Sequence, residues 1–224
     1  MKKTFIFLLL VALFMPWAAQ AQEELTVCDG TTTSNYIPFY GSYVDTQGCT
    51  CEFIIPAETE GMSDMEGGTI SKLTFYISGT PQTWGSPTIQ VYMGEVEGAT
   101  LSGINGPANF TTVYTGTVSN QTNPLVIELS DAYTYEGGNL LIGTYVQTAS
   151  STYKSTPFYG VSAPSGSSYY HSGSSYGTAT AQSFLPKTTF TYEPAQSGGD
   201  VCEKPATLVA ENITGNSATL SLDR

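Results

Sequence analysis

The strongest constraint on the fold is a two-residue alternation of apolar and polar side chains, repeated in short segments that turn residues separate. In "GGTISKLTFYIS", Leu73, Phe75 and Ile77 share one face, and Lys72, Thr74 and Tyr76 lie on the other. The period recurs in "SPTIQVYMGEV", "PLVIELS", "NLLIGTYVQ" and "KTTFTYEP", and strands are also predicted in "CTCEFIIP" and "TTVYTGTVS". No helical stripe accompanies this pattern. Around seven to ten short strands predict an all-β fold, namely a two-sheet antiparallel β-sandwich of jelly-roll-like form.

Glycine pairs mark two similar turns, Glu66-Gly67-Gly68 and Glu136-Gly137-Gly138, each leading into a strand. We interpret them as tight turns that need positive φ and not as phosphate-binding loops, because neither pair opens a helix. The stretch from Ala149 to Ser183 is rich in Ser, Gly, Thr and Tyr. It fits either a long surface loop or short strands with partly buried tyrosines, and its composition leaves both open.

Residues 1–21 have the pattern of a secretory signal peptide. Lys2 and Lys3 precede an apolar run from Phe5 to Phe14, and Ala19-Gln20-Ala21 supplies a small-x-small cleavage site. The apolar run is shorter than the roughly 20 residues that span a bilayer, and no other segment comes close. Cleavage after Ala21 predicts an exported chain, extracellular or on the outer cell surface, with no transmembrane segment.

The chain is strongly acidic. Its formal net charge is −12, and loss of Lys2 and Lys3 with the signal peptide would change that to −14. Such a surface is repelled by nucleic acids and by anionic lipids, so nucleic acid is excluded as a partner.

The four cysteines are Cys28, Cys49, Cys51 and Cys202. An exported chain permits disulfides, whereas the Cys49-Thr50-Cys51 spacing does not match a zinc site and His171 is the only histidine. We therefore predict one bridge from Cys28 to Cys49 or Cys51, with one cysteine of the three left over.

The firmest domain boundary is "PAQSGGD", a flexible linker by composition, which we assign to residues 194–201. The following "CEKPATLVAENITGNSATLSLDR" resembles the first two strands of a fibronectin type III domain. Pro205 precedes the first of these strands, and "SATLSL" matches the family's "SATLSW", with Leu222 in place of the usual Trp. A domain of that family needs about 90 residues, so residues 202–224 are predicted to be an incomplete one.

Residues 22–193 form the predicted β-sandwich module. The segments "TSNYIPFYGSYVDTQGCTCEFIIPAETEG", "TIQVYMGEV" and "LVIELSDAYTYEGGNLLIGTYV" resemble an N-terminal module of secreted, multidomain surface proteins of Bacteroidota. In that group the module precedes fibronectin type III or similar repeats, adhesin-like domains and sometimes a catalytic domain. The resemblance implies architecture and export more than chemistry.

A catalytic constellation needs a nucleophile, a base and an orienting group. The only imidazole, His171, lies in "SYYHSGSSYG", which we interpret as a loop with a solvated or loosely packed histidine. Acids fall in turns and at strand ends, where solvation explains them. We predict no catalytic residue and no enzyme activity.

One acidic loop suits a cation better. The segment "ETEGMSDMEGG" places four carboxylates within nine residues, Glu58, Glu60, Asp64 and Glu66. Oxygen ligands in a loop suit Ca²⁺, although the spacing is not that of an EF-hand. Calcium is the one cofactor that the sequence allows, and no other is predicted.

Aromatic residues are the remaining signal, with fifteen Tyr, ten Phe and two Trp. Rings in loops can stack on sugars or anchor a protein partner, or they can plug the ends of the sandwich. The candidate ligand contacts are Trp84, in the Pro/Gly-bounded "PQTWGSP", and Tyr159, Tyr169 and Tyr170.

These features favour a non-catalytic module of an exported bacterial surface protein that acts in adhesion or in domain display. The alternative is a carbohydrate-binding accessory module of a secreted hydrolase whose catalytic domain is absent from this chain. The expected partner is accordingly a glycan or a protein of a host or cell surface.

Overall fold

The computed structural model describes residues 21–39, 46–81, 83–119, 121–150, 156–173, 179–195, 208–211 and 219–222. Its strands, in chain order, are β1 (Glu23–Val27), β2 (Thr32–Ser34), β3 (Thr50–Ile55), β4 (Thr69–Phe75), β5 (Thr88–Val96), β6 (Thr111–Thr117), β7 (Leu125–Thr134), β8 (Asn139–Thr148), β9 (Phe158–Ser162), β10 (Ser168–His171), β11 (Thr180–Gln182), β12 (Phe184–Pro186), β13 (Thr188–Glu193), β14 (Leu208–Glu211) and β15 (Thr219–Leu222). Short 3₁₀ turns occupy Met62–Met65 and Pro107–Asn109. Within the described ranges, no helix is long and apolar enough to span a bilayer.

Antiparallel pairing builds the sheets. A four-stranded sheet has the order β1-β13-β4-β7, and a six-stranded sheet has the order β11-β10-β3-β8-β5-β6. A third sheet of three strands, β12-β9-β2, was not predicted. The all-β prediction and the antiparallel β-sandwich are confirmed.

The two larger sheets share one core. Leu73 and Phe75 of β4 and Phe190 of β13 are fully buried, as is Phe53 of β3 in the opposite sheet. The rings of Phe53 and Phe75 meet edge to face, with centroids 6.2 Å apart. The face that the alternation predicted for β4 is therefore the face that packs into the core.

The centre of the six-stranded sheet is buried on both faces. Every residue of β3 is buried, and Tyr92 of β5 packs with Ile54 and Leu141 in a second, smaller cluster. Phe110 stacks on Tyr92 with ring centroids 5.9 Å apart. The segment before β6 thus covers the outer face, and residues that alternation would place in water lie under it.

A buried carboxylate holds this cover in place. Glu52 of β3 is 0% exposed. Its oxygens accept hydrogen bonds from the Tyr92 hydroxyl at 2.8 Å, from the Asn105 N–H at 3.1 and 2.9 Å, from Asn105 Nδ2 at 3.0 Å and from the Gly106 N–H at 2.7 Å. A carboxylate with this many donors can be buried without being left unsatisfied.

The Ser- and Tyr-rich region after Ala149 forms the short strands β9, β10 and β11 in its described part. The second of the two alternatives is therefore correct there. His171 lies on β10 opposite Thr50 and is only 3% exposed. Its interpretation as a solvated loop residue is wrong, because pairing with β3 carries it into the sheet.

The two Glu-Gly-Gly turns meet in space. The Gly67 N–H donates to the Tyr135 carbonyl at 2.7 Å, and the Tyr135 N–H donates to the Gly68 carbonyl at 3.0 Å. Gly67 and Gly137 have φ of 73° and 100°, a region that favours glycine. The similarity of the two turns in sequence thus corresponds to a shared contact.

In the region assigned to the incomplete fibronectin type III domain, β14 and β15 pair with each other, with Leu208 opposite Leu222. The family assignment and the domain boundaries stay predictions. The linker and Cys202 lie outside the described residues.

Candidate functional site

Strand pairing brings polar side chains to one end of the four-stranded sheet. Val27 ends β1 opposite Thr188 of β13, and Thr188 lies opposite Phe75 at the end of β4. Lys187 and Tyr76 are the next residues beyond these strands. Both are therefore placed at the end of the sheet where β1 finishes.

The main chain of β9 is fixed at the same end. The Tyr159 N–H donates to the Tyr76 carbonyl and the Lys187 N–H donates to the Tyr159 carbonyl, each at 2.8 Å. A Cβ on Gly30 would lie 2.5 Å from the Gly160 carbonyl oxygen, so only glycine lets the chain after β1 approach β9 this closely. These backbone contacts thus hold Tyr76, Tyr159 and Lys187 next to one another, independently of contacts between their side chains.

The side chains line an open cavity of about 260 Å³. This distal cavity is lined by Asp29, Gly30, Thr31, Tyr76, Tyr159 and Lys187. Lys187 Nζ lies 2.5 Å from Asp29 Oδ1 and 4.6 Å from the centre of the Tyr76 ring. The Tyr76 hydroxyl is held in turn, 2.8 Å from Thr189 Oγ1.

These groups suit binding better than hydrolysis. The Asp29 and Lys187 side chains are 64% and 22% exposed, and an ion pair so accessible to water adds only about 0–1 kcal/mol to stability. It does provide an oriented acceptor and donor beside two tyrosine rings, the combination that recognises polar, flat ligands. Asp29 is the one carboxylate in the lining, whereas glycoside hydrolysis uses two.

The distal cavity lies away from the end where β13 leads into residue 194. Glu23 at the start of β1 is opposite Tyr192, near the end of β13. The five residues of β1 span about 17 Å between that end and the cavity. The cavity therefore opens at the end of the sheet opposite Tyr192.

Trp84 does not line this cavity, and its interpretation as an exposed ligand contact is wrong. It is 0% exposed, and its ring lies 5.5 Å from Phe39 and 6.3 Å from Phe158 between centroids. The Ser150 hydroxyl donates to its carbonyl oxygen. The Pro/Gly-bounded loop turns inward because the indole fills the space between these two phenylalanines.

The three candidate tyrosines separate. Tyr159 lines the distal cavity, whereas Tyr169 and Tyr170 lie on β10 of the six-stranded sheet, both partly buried. Tyr170 stacks on Tyr36, with ring centroids 4.5 Å apart and an interplanar angle of 9°. The structure thus places one of the three tyrosines in a cavity with other polar groups.

The four acids proposed for Ca²⁺ do not converge. Glu58, Glu60, Asp64 and Glu66 are all exposed, and no group of three or more potential metal ligands occurs among the described residues, which include these four. Glu66 extends toward Gly137, whereas Glu60 and Asp64 line a groove beside β1. The four carboxylates therefore do not form the calcium site that the sequence suggested, because Glu66 lies at the Gly137 turn whereas Glu60 and Asp64 lie beside β1.

The end of the sandwich at Glu66 has a measurable electrostatic signature. Burial, followed by the charge of Glu95 and of further acids, raises the pKa of Tyr133 and of Tyr135 to about 12. Glu95 itself accepts hydrogen bonds from the Glu136 and Gly138 N–H groups, each at 2.6 Å.

We expect the free energy of unfolding to fall as the pH rises from about 10 to about 12. The tyrosines of the unfolded chain ionise near 10, whereas Tyr133 and Tyr135 hold their protons to about 12, so unfolding releases protons in that window. Chemical denaturation at a series of pH values measures the fall. Tyr133→Phe should make it shallower, and an equally steep fall in that variant would contradict the assignment.

The predicted disulfide is also wrong. Cys28, Cys49 and Cys51 are thiols. The Cys51 thiol donates to the Tyr36 carbonyl at 3.0 Å, and the Cys49 thiol lies 3.7 Å from Ser172 Oγ. Cys28 directly follows β1 of the other sheet, and burial raises the pKa of its thiol to about 11.

No protein-family model matches this chain, and no curated protein matches it in sequence. The functional argument therefore rests on the fold and its contacts.

Asp29, Tyr76 and Lys187 were not among the residues that the sequence singled out. The alternation did place Tyr76 on the face of β4 opposite the core, which is the one sequence signal that could have found it.

Proposed function

We propose that residues 22–193 are a non-catalytic binding module of an exported bacterial surface protein, and that the module acts in adhesion through the distal cavity. The observation that supports this most is the position of the cavity, at the end of the sheet farthest from the point where β13 leads into residue 194. A module attached by its C-terminal side presents such a cavity outward.

The ligand we propose is a glycan. A volume of about 260 Å³ is below the usual range for drug-sized ligands and accommodates one sugar ring. The Tyr159 ring offers an apolar face with a polar edge, and the Asp29–Lys187 pair offers an acceptor and a donor for ring hydroxyls.

The same cavity favours a second candidate, a carbohydrate-binding accessory module of a secreted hydrolase. The two candidates differ in the glycan. An accessory module binds the repeating polysaccharide that its enzyme cleaves, whereas an adhesion module binds the terminal sugars of cell-surface glycans. The sequence that follows Arg224 in the genome would also show whether a catalytic domain is encoded there.

The cavity is tested by glycan-array binding followed by titration calorimetry with the best glycan. We expect Tyr159→Ala and Lys187→Met each to weaken binding about tenfold, which corresponds to about 1.4 kcal/mol. Tyr169→Ala, on another sheet, and Lys72→Met, in the ion pair with Glu128, are the matched controls and should bind as the parent does.

Failure of the binding test and detection of catalysis would each contradict the proposal. One is the absence of binding to any glycan, or equal losses in the control variants. The other is hydrolysis of a glycan or peptide by the purified chain that a single acid or serine substitution abolishes.

A further inference from the structure

β1 is an edge strand of the four-stranded sheet. Its residues Glu23–Val27 pair with Thr188–Tyr192 of β13 on one side, and no strand among the described residues pairs with its other side. In an antiparallel pair about half of the backbone N–H and C=O groups point away from the partner. The outer side of β1 thus presents a row of hydrogen-bonding groups, the feature that lets an edge take another strand.

A groove of about 620 Å³ runs beside this edge. This edge groove is lined on the strand side by Leu25–Asp29 and on the other by Thr59, Glu60, Gly61 and Asp64. Gly61 lies against Leu25 so closely that a Cβ there would be 2.4 Å from Leu25 Cδ1. Met62 and Met65, both 0% exposed, fix the second wall to the core. The groove is therefore preformed.

The charge of the edge groove is negative. Glu60 and Asp64 are exposed on its second wall, and no Lys or Arg lines it. Asp29 at its end is already paired with Lys187. Glu23 and Glu24 add two further exposed carboxylates along β1 itself.

This charge determines what the edge can accept. A second copy of the chain, pairing antiparallel through its own β1, would bring Glu23 and Glu24 close to the acids of the first copy. The negative charge that would accumulate along this one edge is destabilising, so self-association is disfavoured. A strand that carries positive charges would instead be attracted to these carboxylates.

We propose that β1 accepts an extended, lysine- or arginine-rich segment of another polypeptide as a fifth strand of the sheet. Leu25 and Val27 share the face of β1 that turns toward the second wall, because both pair with buried residues of the inner face. Alternate basic side chains of the added strand would lie along the partly exposed Leu25 with their aliphatic stems and reach Glu60 and Asp64 with their charges. This docking surface shares only Asp29, at its end, with the lining of the distal cavity.

The probe is an alternating Lys–Val peptide of about seven residues, the length of an ordinary strand, with both termini blocked. Calorimetric titration into the purified chain should show binding that weakens as salt is raised. The amide resonances that shift in nuclear magnetic resonance spectra should be those of residues 23–29 and 59–64. The same peptide N-methylated at alternate residues keeps its charge and loses backbone donors, and we expect it not to bind.

Charge variants provide the matched comparison. Glu60→Gln combined with Asp64→Asn should weaken binding of the Lys–Val peptide about tenfold at low salt. Glu58→Gln combined with Glu97→Gln removes the same charge from exposed acids outside the groove and should leave binding unchanged.

Three outcomes would overturn the proposal: no binding of the Lys–Val peptide, equal binding of the N-methylated peptide, and equal losses in both double variants. The second and third would reduce the effect to unspecific charge attraction. None of these results depends on glycan binding at Tyr159, so failure here and failure of the proposed function can be told apart.

Discussion

Replacing Glu52 with alanine should lower the free energy of unfolding by about 3–5 kcal/mol. The carboxylate is 0% exposed and accepts hydrogen bonds from Tyr92, Asn105 and Gly106. Its removal takes away the acceptor of the Asn105 and Gly106 N–H groups in a buried place. Each stranded donor costs about 1–3 kcal/mol. Equilibrium denaturation in urea, followed by circular dichroism, measures the loss.

Two variants make the Glu52 result specific. Glu52→Gln keeps one acceptor oxygen but directs an amide toward the donors, so an intermediate loss is expected. Glu58→Ala, an exposed acid six residues further along, should change stability by no more than about 0.5 kcal/mol. A loss for Glu52→Ala no larger than that of Glu58→Ala would contradict the structural role of the carboxylate.

The strands were predictable because their signal is local. Leu73, Phe75, Ile89 and Ile142 are buried where a period of two places them, since each strand needs only its own alternation to select a face. The short strands after Ala149 carry few aliphatic residues, so composition left their structure open.

Glu52 shows where the local signal ends. In "CTCEFIIP" it alternates with Phe53 and should face water. Its burial depends on the segment around Asn105, which is distant in the chain and folds over the outer face of the sheet. The residue pattern of a single strand cannot show that a distant segment of the chain will cover its outer face.

The distal cavity could be predicted only in part, for a similar reason. Tyr159 was recognised as an aromatic residue in a polar stretch. Asp29, Tyr76 and Lys187 come from three separate segments, and only the pairing of β1, β13 and β4 brings their ends together. Such a juxtaposition is set by tertiary structure and leaves no mark in the spacing of residues.

Trp84→Ala should lower the free energy of unfolding by about 3–5 kcal/mol, the range for removing a buried large aromatic side chain. The indole is 0% exposed and contacts Phe39 and Phe158, so its loss leaves a cavity that these two rings cannot fill. Denaturation in urea measures the change, and Trp84→Phe, which keeps part of the volume, should lose less than half as much.

Fluorescence separates this structural role of Trp84 from a role in ligand binding. In a chain cleaved after Ala21, Trp84 is the sole tryptophan, because the other one is Trp17. A buried indole emits at short wavelength and resists quenching by acrylamide, and a glycan bound at Tyr159 should leave its emission unchanged. The structural role would be contradicted if the emission were that of a solvated indole and if Trp84→Ala lost glycan binding without losing stability. Trp84 would then be a surface residue that contacts the ligand. For a buried Trp84 we expect short-wavelength emission, lower stability in Trp84→Ala, and no loss of glycan binding in the fraction that remains folded. A side chain that fills the core between Phe39 and Phe158 affects binding only through the stability of the whole sandwich.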